Sequence, residues 1–117
     1  MEPDDDYLRG VALLNLGRYY EAHEALEDAW RASSAPSKLI MQGIVQIAVA
    51  MHHQSTGNFR GARSVLARAI RNLGQAEQGF GGLDMDDLRG QLTAWLAALQ
   101  SDSRCEPVQL RWLVPPL

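Results

Sequence analysis

The sequence has little of what secreted, membrane-spanning or nucleic-acid-binding proteins need. Its one cysteine, Cys105, cannot form an internal disulfide. The longest apolar run, IVQIAVAM, is interrupted by Gln46 and is too short to cross a bilayer. The N-terminus, MEPDDDYLRG, is acidic where a secretory signal is basic. The formal net charge of -3 lacks the basic excess typical of nucleic-acid binders. We therefore expect a cytoplasmic protein with neither a nucleic-acid nor a membrane partner.

The length and composition are those of one folded domain. A chain of 117 residues is long enough for one core and too short for two ordinary ones. Hydrophobic residues make up 46% and charged residues 21%, which is normal for a globular protein. A single all-α domain over residues 1–117 is expected, with a core at 8–76, a fifth helix at 84–100 and an extended tail at 101–117.

Apolar residues recur at helical spacing along most of the chain, whereas alternating strand patterns are scarce. The turn signals include Gly17 as a helix C-cap residue, Pro36 in a first helical turn and Asp84 as an N-cap. The spacing predicts an all-α bundle of five helices, at about 4–16, 18–32, 36–55, 59–76 and 84–100.

An internal repeat appears when the chain is shifted by forty residues. GRYYEAHEALEDA, at 17–29, then lies over GNFRGARSVLARA, at 57–69, with glycine, aromatic, alanine and leucine positions in register. A turn glycine followed by apolar residues at helical spacing is typical of helical-hairpin repeats, although any two amphipathic helices after a glycine turn share part of this pattern. We expect two antiparallel hairpins, similar to tetratricopeptide (TPR) repeats, in a bundle closed by the fifth helix.

The C-terminal tail, EPVQLRWLVPPL, is the one segment with an extended pattern. Val108, Leu110, Trp112 and Val114 alternate with other residues, as in a chain packed on one side, and the prolines prevent a helix. The tail is expected either to lie across the bundle or to form the contact surface of a homodimer.

Polar residues in the second helix mark a candidate site. On a helical wheel His23 lies beside Trp30 at the edge of the apolar sector, and Glu27 comes next. His23 and Glu27 are four residues apart and therefore neighbours. An ordinary hydrogen bond or ion pair on a helix surface would give the same spacing.

The third helix carries a second group of polar side chains. Gln42, Gln46 and His53 fall within about 40 degrees of one another on a helix that is otherwise apolar around most of its circumference. Polar groups among apolar ones must be hydrogen-bonded. We expect this line to face His23 and Glu27 across the helix pair, with His52 exposed instead.

The motif H-x-x-x-E-x-x-W, here His23, Glu27 and Trp30, is preceded by GRYYEA and followed by QGIVQIAVAMHH and GNFRGA. This combination resembles a bacterial and archaeal family catalogued as domain of unknown function 309, over about residues 8–73. The resemblance implies an all-helical fold and a functional site at the three motif positions. It implies no particular activity.

Three functions are compatible with these residues. The favoured one is a binding module whose site accepts a small ligand or an ion, with site residues His23, Glu27, Trp30, Gln42, Gln46 and His53. The main alternative is a TPR-like interaction module in which the polar groups only hold the hairpins together. The third is a small hydrolase that uses His23 and Glu27 as an acid–base pair or a metal site. No cofactor is favoured; if a metal binds, His23, Glu27 and His53 are the expected ligands.

Overall fold

A computed structural model, which describes residues 4–101 and 106–117, has the five predicted helices. Cys105 lies outside the described residues. The helices are α1 Asp5–Asn15, α2 Tyr19–Arg31, α3 Ser37–Ser55, α4 Phe59–Leu73 and α5 Met85–Gln100. A short 3₁₀ turn, Phe80–Gly82, precedes α5. The all-α prediction is confirmed, and no helix within the described ranges is long and apolar enough to cross a membrane.

Short polar side chains begin three of the helices. Asp4, Asn58 and Asp84 each accept a hydrogen bond from the backbone N–H three residues later, at 2.8, 2.9 and 3.0 Å. Each bond satisfies one of the amide groups that a helix leaves unpaired at its start. The predicted N-cap at Asp84 is confirmed.

The turns α1–α2 and α3–α4 are equivalent, as the forty-residue repeat predicts. Gly17 and Gly57 both have φ of +82°, a left-handed conformation that glycine adopts without strain. After these turns, the matched pair Leu26 and Leu66 are both fully buried. The two helical hairpins therefore share their turn and their packing positions, while the likeness to TPR repeats stays an interpretation.

Helix α4 ends three residues earlier than the predicted boundary at residue 76. Its last turn is closed by Arg89 of α5, which donates to the carbonyl oxygens of Leu73 at 3.1 Å and Ala76 at 2.7 Å. An arginine can satisfy terminal carbonyls that a further turn of helix would otherwise bond. The helical spacing of the apolar residues did not reveal this contact from a distant part of the chain.

Helix α3 lies between α2 and α4 and is the most extensively buried helix of the fold. Its buried residues occupy most of its circumference and are Met41, Gly43, Ile44, Val45, Ile47, Ala48, Ala50 and Met51. Consecutive helices make the main contacts, so the chain forms a row of antiparallel neighbours. One core cluster extends from Tyr7 in α1 to Leu110 in the tail.

The C-terminal tail lies across the bundle between α1 and α5. Asn15 donates to the carbonyl oxygen of Leu110 at 2.9 Å and accepts from its N–H at 2.7 Å. Gln91 makes the same pair of bonds with the backbone of Gln109, at 2.8 and 2.9 Å. These carboxamides replace the neighbouring strand that an extended segment normally needs. We call residues 106–112 the strap.

The strap confirms the predicted alternation only in part. Val108 and Leu110 are buried, and Trp112 is half-buried with its ring edge-on to Tyr7, 6.2 Å between centroids. Val114 is exposed, so its predicted packing is wrong. The reason is that Leu113 and Val114 both donate to the carbonyl oxygen of Gly82, which turns the chain away from the core.

Tyr7 ties the start of the fold to the loop before α5. Its hydroxyl donates to the carbonyl oxygen of Gly81 at 2.8 Å, and burial raises the pKa of the phenol well above its usual range. The phenol therefore stays neutral and keeps donating under ordinary conditions.

We predict opposite effects of adding a methyl group to two helical glycines. A Cβ at Gly10 would lie 2.5 Å from two side-chain atoms of Leu26, whereas a Cβ at Gly90 meets nothing within 4 Å. Gly10→Ala should lower the free energy of unfolding by about 1–3 kcal/mol because α1 and α2 must separate. Gly90→Ala should raise it by about 0.5–1 kcal/mol because alanine favours helix. Urea unfolding measures both; equal effects of the two substitutions would contradict the close approach of α1 and α2.

Candidate functional site

His23 and Glu27 form the pair that their spacing predicts. His23 Nε2 lies 2.9 Å from Glu27 Oε2, with the two side chains 31% and 29% exposed. Arg31, one turn further along α2, pairs with the other oxygen of Glu27 and also with Asp28 at 3.0 Å. These polar contacts run along one helix. They orient the imidazole without linking α2 to α3.

Aromatic rings lie beside this pair and further along the line where α2 meets α3. The Tyr20 ring lies 6.3 Å from the His23 ring and 5.7 Å from the His52 ring, measured between centroids. Lys38 Nζ sits 4.8 Å from the centroid of the Trp30 ring, in a cation–π contact. We call Tyr20, His23, Glu27, Trp30 and His52 the seam cluster.

In the described part of the chain, Trp30 Nε1, His23 Nδ1 and both ring nitrogens of His52 have no hydrogen-bond partner. Trp30 Nε1 is shielded from solvent and unpaired. His23 uses Nε2 for Glu27, and its Nδ1 makes no contact with the residues described. A shielded indole N–H without an acceptor is unfavourable by roughly 1–3 kcal/mol. The cluster thus keeps hydrogen-bonding capacity that the protein itself does not use.

The structure does not bring Gln42, Gln46 and His53 against His23 and Glu27, so that predicted arrangement is wrong. Gln42 is exposed. Gln46 Oε1 accepts from Asn72 of α4 at 2.8 Å, and His53 Nδ1 lies 3.3 Å from the Asn58 side chain. The line occupies the outward side of α3 and leans toward α4, because α2 and α4 cover the flanks of α3.

The metal-ligand set is wrong for the same reason. Within residues 4–101 and 106–117, no three histidine, cysteine, aspartate or glutamate side chains are grouped so that they could hold an ion. His23 and Glu27 are adjacent, but His53 contacts the turn before α4 instead. Two donors, one already shared with Arg31, do not make a three-ligand site.

The histidine that the structure places beside the His23 region is His52, which the sequence analysis expected to be exposed. It is half-buried and lies against Tyr20. The signal was available: His52 lies about 100 degrees around α3 from His53, on the side where the buried Val45 and Ala48 also lie. The Lys38–Trp30 contact was also missed, but for another reason. It depends on α2 and α3 lying side by side, which the spacing within one helix does not show.

A cavity of about 270 Å³ lies elsewhere, where the start of α1 meets the α2–α3 turn. It is lined by Asp4, Tyr7, Ala29, Ala32, Ser33, Ser34 and Ser37. Asp4 is engaged as the N-cap of α1, and the Ser33 hydroxyl donates to the carbonyl oxygen of Ala29. None of the predicted site residues lines this cavity.

The sequence over residues 7–65 matches the family described as Domain of unknown function (DUF309), and the chain belongs to this family. It is 28% identical over 79 residues to an uncharacterized protein of Aquifex aeolicus (strain VF5), covering 67% of this chain and 24% of that protein. It is 40% identical over 60 residues to the uncharacterized protein YpuF of Bacillus subtilis (strain 168), covering 50% of this chain and 34% of YpuF. In both cases the match covers well under half of the relative. The resemblance inferred from the motif is confirmed, and the matched segment contains the whole seam cluster.

We predict that the His23–Glu27 pair contributes little to stability, in contrast to a polar pair in the interior. His23→Ala should change the free energy of unfolding by less than about 0.5 kcal/mol, because the pair is half-exposed and Glu27 keeps Arg31. Gln54→Ala should cost about 1–3 kcal/mol, because Gln54 accepts from the indole N–H of the buried Trp95. Urea unfolding of both variants makes the comparison. A loss in His23→Ala as large as that in Gln54→Ala would show that the pair is structural.

Proposed function

We propose that the protein is a binding module and that the seam cluster is its ligand site. One observation carries the proposal: the hydrogen bonds of the cluster run along α2, and none joins α2 to α3 among the residues described. A polar network that held the hairpins together would have to cross that seam. The residues that do link α3 to its other neighbours are Gln46 and Gln54, outside the cluster.

The chemistry of the cluster suits a small ligand with a planar apolar part and a hydrogen-bonding edge. Tyr20 is 60% exposed and presents its ring next to those of His23 and His52. A planar group can stack on such rings. Because Glu27 can only accept when ionised, it holds the Nε2–H tautomer of a neutral His23 and leaves Nδ1 as an acceptor. The ligand edge would donate to that nitrogen.

A resident metal ion is not part of the proposal, since the residues described do not assemble a donor set of three or more ligands. The hydrolase alternative has less support, because no side-chain nucleophile in the described ranges is hydrogen-bonded to His23. The Ser33 hydroxyl, for example, donates to the backbone carbonyl oxygen of Ala29.

A protein-interaction module is the second candidate. It is favoured by large apolar side chains that are exposed, among them Leu16 beside the α1–α2 turn and Leu39 on α3. An interaction module is also consistent with the partial matches, since each match covers only a part of the related protein. In that case Tyr20 and Trp30 would act as aromatic anchors for a partner protein.

The test is a ligand screen that uses the seam cluster as its reporter. Mixtures of small metabolites are added to isotope-labelled protein, and the Trp30 indole N–H and the His23 ring signals are followed by NMR, with Trp30→Phe to assign the indole signal. We expect at least one compound to shift both signals and to bind at least tenfold more weakly to His23→Ala, a loss of about 1.4 kcal/mol.

His53→Ala is the matched control, because it also removes an imidazole, but from a position on α3 that lies outside the cluster. It should bind the compound as the unaltered protein does. Equal losses in His53→Ala and His23→Ala would contradict the assignment of the site. If no metabolite shifts either signal, the small-ligand proposal fails and the interaction module becomes the better explanation.

A further inference from the structure

The charges of this chain are segregated along the sequence. The 48 residues from 29 to 76, which include α3 and α4, contain six arginines or lysines and no aspartate or glutamate. Eight acidic residues precede this segment and six follow it. The net charge of -3 is therefore the sum of a basic segment at 29–76 and acidic segments before and after it.

Four of these cations lie on the exposed side of α4: Arg60, Arg63, Arg68 and Arg71. They fall within about 140 degrees on the helical wheel, opposite the buried Ala69. We call them the arginine face. Arg60 and Arg63, and likewise Arg68 and Arg71, are three residues apart, a spacing at which like charges destabilise a helix.

Among the residues described, the arginine face differs from the other arginines in having no acidic partner. Elsewhere in the described ranges every arginine is paired with a carboxylate: Arg9, Arg18, Arg31, Arg89 and Arg111. On α4 only Arg68 has a side-chain contact, with the Ser64 hydroxyl at 3.3 Å. Four guanidinium groups thus repel one another without compensation from the residues described.

We propose that the arginine face binds an acidic segment of a partner polypeptide. A guanidinium group binds a carboxylate through two parallel hydrogen bonds and is less strongly hydrated than an ammonium group. From Arg60 to Arg71 the helix rises about 16 Å, which is the reach of about five residues of extended chain. An extended segment with acidic residues at every second position can therefore contact all four arginines.

The acidic surroundings favour a short protein segment over a nucleic acid or a membrane. Helix α5 packs beside α4 and begins with Asp84, Asp86 and Asp87. A duplex or an anionic bilayer extends beyond one helix and would meet the net negative charge of the rest of the chain, whereas a segment lying along α4 does not. The proposal does not depend on the seam cluster, which is built from α2 and α3.

The experiment measures fluorescence anisotropy of a fluorescein-labelled peptide of alternating glutamate and serine, with a glutamine–serine peptide as the neutral probe. Arg60→Gln combined with Arg71→Gln should weaken binding of the acidic peptide at least tenfold. The matched control combines Arg9→Gln with Arg18→Gln, which removes the same charge from arginines that are paired with Asp6 and Glu21. The control should stay within about twofold of the unaltered protein, because these two arginines lie outside α4 and already pair with carboxylates.

Foldedness is checked independently, since removing mutually repelling arginines should leave the urea midpoint of the Arg60/Arg71 variant unchanged or raised. Equal weakening in both double variants, or equal binding of the neutral peptide, would overturn the proposal. It would also fail if a DNA duplex or vesicles of anionic phospholipid displaced the acidic peptide at lower concentration than unlabelled peptide does. His23→Ala should bind the acidic peptide normally, so this test is separate from the ligand screen.

Discussion

The burial of α3 on both flanks is the constraint from which the rest of this structure follows. The helix is apolar over most of its circumference, and α2 and α4 cover its two sides. Close approach is possible because Gly43 faces Leu73 of α4, where a Cβ would lie 2.8 Å from the leucine Cγ. The helical hairpins are thus held by apolar contact along a shared central helix. In the described part of the chain no polar or charged residue is fully buried.

This arrangement decides what each polar side chain near α3 can do. Gln46 and Gln54 reach sideways to Asn72 and Trp95 and join α3 to α4 and α5. The seam between α2 and α3 has no comparable hydrogen bond among the residues described. Besides apolar packing, it has the contact of the Tyr20 and His52 rings and the Lys38–Trp30 pair. The hydrogen bonds that join α3 to other helices therefore lie on its α4 and α5 side, whereas the seam-cluster polar groups that have no partner in the described ranges lie on its α2 side.

The outer surface shows a similar division by charge. Acidic residues cap or begin α1 and α5, where the helix dipole favours them, and most of the arginines nearby pair with them. Helix α4 has only basic charges, and its first turn is capped by the neutral Asn58. The seam cluster and the arginine face lie on opposite sides of α3, so the small domain offers two chemically different surfaces.

The sequence alone determined the fold class, the five helices, the forty-residue repeat and the His23–Glu27 pair. Each depends on neighbours within one or two helical turns, or on turn chemistry such as that of Gly17 and Asp84, and local spacing carries that information. Tertiary structure decided which helix each side of α3 meets. Spacing placed Gln42, Gln46 and His53 on one line, but only the position of α4 shows that this line lies on the outward side and leans toward α4. Two further features depend on contacts between distant segments. They are the end of α4 at Leu73, whose carbonyl oxygen accepts from Arg89, and the turn of the tail, where the backbone bonds to Gly82. Helix periodicity specifies the faces of one helix, whereas the crossing of two helices depends on the packing of both.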